Sequence, residues 1–246
     1  MQLSLSEGLF LVVVFLSNII QCITGFAGTV LAMPFSVHLI DQNPSVAILN
    51  VLGAAASVGV LIGGYKKVNR KEFVKIVGLM LPGIVAGYFL TDLLSGAKRL
   101  AHILLGSVVV FFAVLSFIRF CRKKETKKPG TLISVLILLG AGLIHGVFVC
   151  GGPLLVIYAN AQMEDTGEFR STLSSVWIVL NGIMIFSHWQ KGFFVGNVPF
   201  LLLLSLVILV AAVLIGNRIA KKMSKNVFLV LSYILMIISG LSLLIK

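Results

Sequence analysis

Charge is what this sequence has least of. Only 11% of its 246 residues are Asp, Glu, Lys or Arg, where a soluble globular domain carries about 25%. With 59% of the residues hydrophobic, too little polar side chain remains to cover a water-facing surface, which excludes a soluble enzyme or binding module. Cysteine is also scarce: Cys22, Cys121 and Cys150 show neither CxxC spacing nor a histidine cluster at metal-site intervals, so neither a disulfide framework nor a zinc site is expected. No HExxH or comparable His, Asp or Glu group at helical spacing appears, and the reading carries no catalytic residue, metal or cofactor. A basic stretch before the first apolar run is missing as well, and that run is too long for a signal-peptide core; it is expected to stay in the mature protein.

What is present instead is a series of apolar runs near the length of a bilayer crossing. The net charge of +12 does not point to nucleic acid, because Lys and Arg sit in short clusters between those runs, where membrane topology places them. The chain reads as an all-α integral membrane protein, multi-pass and in the cell membrane. Its first run, residues 3–40, is interrupted by Asn18, Gln21 and the tip Thr24-Gly-Phe-Ala-Gly28. Spans follow at 45–65, 73–94 and 100–120, the second holding Pro82-Gly83. The most hydrophilic stretch then carries Arg119, Arg122, Lys123, Lys124, Lys127 and Lys128, and is read as a basic cytoplasmic linker, 121–130. After it the pattern returns: an interrupted run at 131–161, then spans at 171–189, 193–215 and 227–245.

The return is more than a count of segments. Gly28 to Pro34 aligns with Gly151 to Ile157 at an offset of 123, Leu49-Asn50-Val51 with Ser174-Ser175-Val176 at 125, and Gly87 with Gly216 at 129. Such slow drift is the mark of an old duplication, giving a first membrane repeat at 1–120 and a second at 131–246. Charge decides their relative orientation. If each interrupted run crosses once, the Lys and Arg residues divide 13 to 7 between the two sides; if each enters and returns, they divide 16 to 4. Positive-inside reasoning prefers the second arrangement. The 31 residues of 131–161 are also too few for two crossings of about 20 each, so that run is expected to be a hairpin of two partial helices. A broken or re-entrant hairpin plus three transmembrane helices is an odd number of crossings, so the two repeats come out inverted.

Irregular backbone at membrane depth survives only where protein buries it or a wet cavity meets it, and paired breaks in corresponding positions point to a transport site. Gly151-Gly152-Pro153 suits the first turn of a new helix, where the proline's missing N–H is not needed, and the amides before it would form a positive end that attracts anions. Gly25, Phe26, Gly28 and Thr29 can play the same part in the first break, with Thr24 as a cap; Cys150 adjoins the second. The same glycines would equally let helices pack closely. Beside the breaks run two polar stripes, Asn50, Gly53, Ala54 and Ser57 in the first half and Ser171, Ser174, Ser175 and Asn181 in the second. Asn50, Ser175 and Asn181 are candidate substrate contacts, the alternative being hydrogen bonding between helices. His145, at the edge of the second break, is either a substrate contact or proton carrier or a packed core histidine. His38, His102 and His188 lie near span ends and are expected at the interface, as is Asp92 beside Lys98 and Arg99. Arg170 is read either as an anion-attracting residue or as an ordinary topology anchor.

These residues carry a resemblance. GFAGTVLAMP and its mid-chain partner CGGPLLV, each within a half of four membrane elements and separated by a basic linker, resemble the TauE/SafE family of sulfite and organosulfonate exporters over essentially the whole chain. The chain departs from the family pattern at Gly25-Phe26-Ala27-Gly28, where a run of glycines is common, and at Ile157, where a proline is common. The resemblance implies a secondary transporter that exports a small anion such as sulfite or an organosulfonate, by alternating access around a site between the two broken helices, with H+ or Na+ as coupling ion and the lipid bilayer as surroundings. An anion channel or a non-transporting assembly subunit is the alternative.

Overall fold

The computed structural model describes residues 3–93, 98–122, 128–148 and 151–245; these are helical apart from short connections and contain no strand. The helices are α1 (Leu5–Thr24), α2 (Gly28–Ile40), α3 (Gln42–Ile62), α4 (Arg70–Leu93), α5 (Lys98–Cys121), α6 (Thr131–Phe148), α7 (Gly152–Gln162), α8 (Thr166–Gln190), α9 (Val198–Lys222) and α10 (Lys225–Ile245). Five of them, α1, α3, α4, α8 and α9, are long and apolar enough to cross a membrane. On α9 the reason for that environment is visible: Leu203, Val207, Val210 and Leu214 form an exposed apolar stripe, while Leu201, Ser205, Leu209, Ala212 and Gly216 form the buried one. The small and polar residues are inside and the large apolar ones outside, as lipid demands.

Each interrupted run is broken where expected, but unevenly. The first divides into 20 residues of α1 and 13 of α2, the second into 18 of α6 and 11 of α7. At 1.5 Å per residue α1 is about 30 Å long, a full crossing, whereas α7 is about 16 Å. The expectation of two partial helices in the second run therefore holds for α7 and not for α6, because the glycines fall late in the run rather than at its middle. Other boundaries move for local reasons. Phe193 to Val195, expected inside a span, lies in a turn where Gly192 and Gly196 take positive φ. In turn α9 runs on past Ile215 to end on Lys221 and Lys222, cations that suit a helix C-terminus.

Contacts divide the helices into two compact units, and the units cut across the repeats. One comprises the chain up to Asn69 together with Arg170–Met223; the other comprises Arg70–Phe169 together with the chain from Ser224. In the first, α1 packs along α9 and α2, and α2 along α3. In the second, α6 packs along α4 and α7, and α5 along α10. Each broken hairpin is thus seated on the fourth element of the opposite half. Glycine makes the seating close: Gly83 and Gly87 of α4 abut the backbone of α6 at Leu139 and Leu143, and Gly142 and Gly146 of α6 abut α4 at Met80 and Ile84. These are reciprocal small-xxx-small faces. The contact recurs in the other unit at duplicated positions. Gly87 meets the Leu143 carbonyl and Gly146, while Gly216 meets the Ile19 carbonyl and Cys22.

Candidate functional site

The first break is built from the end of α1. Gly25 takes φ +84 and donates its amide to the Gln21 carbonyl, stopping the helix in a left-handed cap. The Thr24 hydroxyl donates to the Ile20 carbonyl and accepts, at 3.4 and 3.3 Å, from the amides of Phe26 and Ala27. α2 then begins directly against α1: a Cβ on Gly28 would lie 2.6 Å from the Gln21 Cβ and 2.9 Å from the Ser17 carbonyl. That closeness lets the Gln21 side-chain oxygen accept the Gly28 amide at 2.7 Å. Thr24 was expected to cap the second arm, but its hydroxyl takes only the amides before α2, whose first turn has no side-chain cap at Ala27; the amides of Gly25, Phe26 and Gly28 are all engaged by α1. Gln21, seen in the sequence only as a polar interruption, is the residue that occupies the positive end of α2.

Arg170 closes this break from behind. Its Cα would stand 3.3 Å from a Cβ on Gly25. Its guanidinium grips the Cys22 carbonyl through Nε, at 3.0 Å, and through Nη2, which also donates to Asn217 Oδ1 at 3.0 Å. Asn217 is held in turn by donating to the Gly59 carbonyl. A cation at the last carbonyls of α1 is favourable, so Arg170 acts as an anchor for the break. Its partners lie 148 and 47 residues away, separations that no local pattern reveals.

The two polar stripes meet in the same unit. Asn69 donates its amide to the Thr172 hydroxyl, Gly64 sits against the Ser171 hydroxyl, Gly53 against Asn181, and Asn50 against His188. Residue numbers on α3 fall as those on α8 rise, so the helices run antiparallel. Over Gly53 two candidates converge, since Asn181 Nδ2 and Thr29 Oγ1 lie 2.9 and 3.3 Å from where a Cβ would stand. Glycine there opens the notch both side chains border. One turn earlier, on the same face of α3, Asn50 is fully buried and its Nδ2 lies 3.3 Å from His188 Nδ1. The other arm of that carboxamide, Oδ1, is buried with no hydrogen-bond partner among the described residues, a condition that costs about 1–3 kcal/mol. His188 was expected at the interface, but its ring is 5% exposed. Although two residues from the end of α8, it turns inward onto Asn50 and stacks on Phe193. Ser175 stands apart from the notch: it is half-buried and bonds back to the Ser171 carbonyl at 2.9 Å.

The second break lies in the other unit. Gly151 abuts the Ala141 carbonyl, and a Cβ there would stand 2.8 Å from the His145 Cβ. Gly151, Gly152 and Pro153 are buried, and Pro153 occupies the first turn of α7 as its spacing predicts. His145 is 2% exposed. Cys150 lies outside the described residues, as do the side chains of Asp92, Lys98, Arg99 and His102. At the far end of α7 the buried Tyr158 donates its hydroxyl to Glu72 Oε2 at 2.6 Å, with the Lys75 ammonium 5.2 Å from the centre of its ring. Glu72 belongs to the first turn of α4. This tie fastens the short arm of the hairpin, and the sequence reading missed it.

The structure thus groups Thr24, Gly25, Phe26 and Gly28 at one break, Thr29 and Asn181 over Gly53, Asn50 with His188, and His145 with Gly151 and Gly152 at the other. No curated protein and no solved structure matches the chain. The family model described as sulfite exporter TauE/SafE matches residues 9–243. Covering nearly the whole length, that match shows that this multi-pass membrane protein belongs to the TauE/SafE family of sulfite exporters.

Proposed function

We propose that this chain is a secondary transporter that exports a small anion, sulfite or an organosulfonate, across the cell membrane by alternating access between two inverted repeats. The observation that carries the reading is that both repeats break in one way, with Gly28 seated on Ser17 and Gln21 and Gly151 seated on Ala141 and His145. Paired broken helices with half-helix N-termini are how transporter folds hold charged substrates. In this reading the Gln21 side-chain oxygen stands where a substrate oxygen would take the Gly28 amide, and leaves when the anion arrives. Thr24, Gly25, Phe26, Gly28 and Thr29 form one side of the binding site, with Asn50, Ser175 and Asn181 as side-chain contacts. His145, Cys150, Gly151 and Gly152 form the other. The linker 121–130 is cytoplasmic, and H+ or Na+ is the coupling ion.

The reading is tested with purified protein in liposomes, measuring flux of sulfite and a panel of organosulfonates under proton and sodium gradients. Saturable flux that responds to a gradient is the expected outcome. Linear flux indifferent to any gradient would show a channel, and absence of flux for every anion would leave an assembly role.

A further inference from the structure

Asn50, a proposed substrate contact, is paired with a second buried polar residue, His188, to which the transport reading gives no role. A neutral imidazole whose Nδ1 accepts from Asn50 Nδ2 carries its proton on Nε2. In that state Asn50 Oδ1 is buried and has no partner among the described residues. It is a hydrogen-bond acceptor, which repels an anion's oxygens. Protonation reverses the pair. Nδ1 becomes a donor, the Asn50 carboxamide must turn over so that Oδ1 accepts from it, and the NH2 group takes the place Oδ1 held. The buried arm changes from acceptor to donor and suits an anion.

We propose that His188 is the proton-binding site that couples anion movement to the proton gradient, with the Asn50 carboxamide as the element that makes anion and proton bind together. This rests on the transport reading and names its coupling ion. Asn50 shares one face of α3 with Gly53, over which Thr29 and Asn181 converge, so the switched amide belongs to the same seam as the candidate contacts. A proton from solution adds to the Nδ1 lone pair and is released from the same atom after the anion has left; no other bond is made or broken. The groups facing His188 are Asn50 from α3, Phe193 stacked at 5.2 Å with planes 18° apart, and Lys191 in the turn after α8. Among the described residues no carboxylate is recorded beside the ring. Among those residues the imidazolium has no counter-ion, and a bound anion would supply one. An ionisable residue buried in a membrane helix is a functional position by default.

The experiment uses an alkanesulfonate, whose charge is constant between about pH 5 and 8 where histidine titrates, so that the substrate itself adds no pH dependence. Flux into liposomes holding the full chain is measured with and without a pH gradient at clamped membrane potential, alongside proton movement reported by an entrapped dye. The wild type is expected to move protons with the anion and to gain on the order of tenfold in flux from the gradient, a typical coupling. His188→Gln keeps a hydrogen bond to Asn50 but cannot titrate, and the ratio of flux with and without the gradient should fall to about one. Asn50→Leu keeps the imidazole, removes the switch, and should abolish the same ratio. Wild-type flux driven by sodium, or indifferent to the proton gradient, overturns the proposal while leaving transport standing, and does so even if neither variant folds. A gradient response unchanged in His188→Gln overturns it too. Absence of wild-type flux for every anion overturns the transport reading and this inference with it.

Discussion

The two breaks share a backbone plan and differ in how their polar groups are satisfied. Both place a glycine, Gly28 or Gly151, at the head of the short arm, close against the preceding long helix. In the first break α1 supplies its own acceptors, Gln21 and Thr24, and Arg170 clamps the Cys22 carbonyl. Around the second, the positions that align with Gln21 and Thr24 at offset 124 are His145 and Phe148. Neither is a carboxamide or a hydroxyl. Pro153 removes one amide from the first turn of α7, and the arm is instead tied at its far end through Tyr158 and Glu72. The two breaks share a shape, which glycine dictates, and differ in chemistry.

The strongest way to break the comparison is to put a side chain on the glycine common to both. Gly28→Val and Gly151→Val each drive a Cβ into backbone, the Ser17 carbonyl in one case and the Ala141 carbonyl in the other. Overpacking of that kind costs about 1–3 kcal/mol or more. Loss of flux is expected from both, with a lowered melting temperature. A variant that transported normally at either position would show that the shared plan is not needed. Arg170→Lys comes next, and touches only the first break. Lysine keeps the charge but not the fork that holds Cys22 and Asn217, and bonds of this charge-assisted kind contribute about 1.5–3 kcal/mol each. A drop in stability near the lower figure is expected, read from thermal unfolding in detergent. Tyr158→Phe is the matching change at the second break. It removes one hydrogen bond to a carboxylate, and the expected loss is about 1.5 kcal/mol.

How much of this was legible in the sequence follows from how far apart the partners are. The breaks were visible because glycine and proline inside an apolar run have few other uses, and the offset between Gly87 and Gly216 reappears as one contact made twice. The uneven arms were hidden, because a run of apolar residues says how long it is and not where a left-handed glycine will stop it. The partners of Arg170, His188 and Glu72 were hidden for another reason. Each acts on a partner 86 to 148 residues away, and a span end looks the same in sequence whether its side chain faces water or turns inward. The exchange of α4 and α9 between hairpins is likewise a matter of pairing, which hydropathy does not encode.

The smallest expected change in stability is the most informative about the first break. Gln21→Glu places a carboxylate where the carboxamide oxygen accepts the Gly28 amide at 2.7 Å. The geometry is nearly unchanged, and the Gly28 amide and the N-terminus of α2, the latter worth about 0.3–1 kcal/mol, offset part of the cost of burying a charge at this 4% exposed position. The first break should therefore keep its shape, with a melting temperature close to the wild type. Flux should nevertheless fall, because a fixed anion now occupies the place the mobile one must take, and high external substrate should restore little of it. Transport then falls without a matching loss of stability. A purely structural Gln21 predicts that the two move together, so a Gln21→Glu protein that melts near the wild type and transports as fast would remove the first break from the binding site and leave it a helix joint.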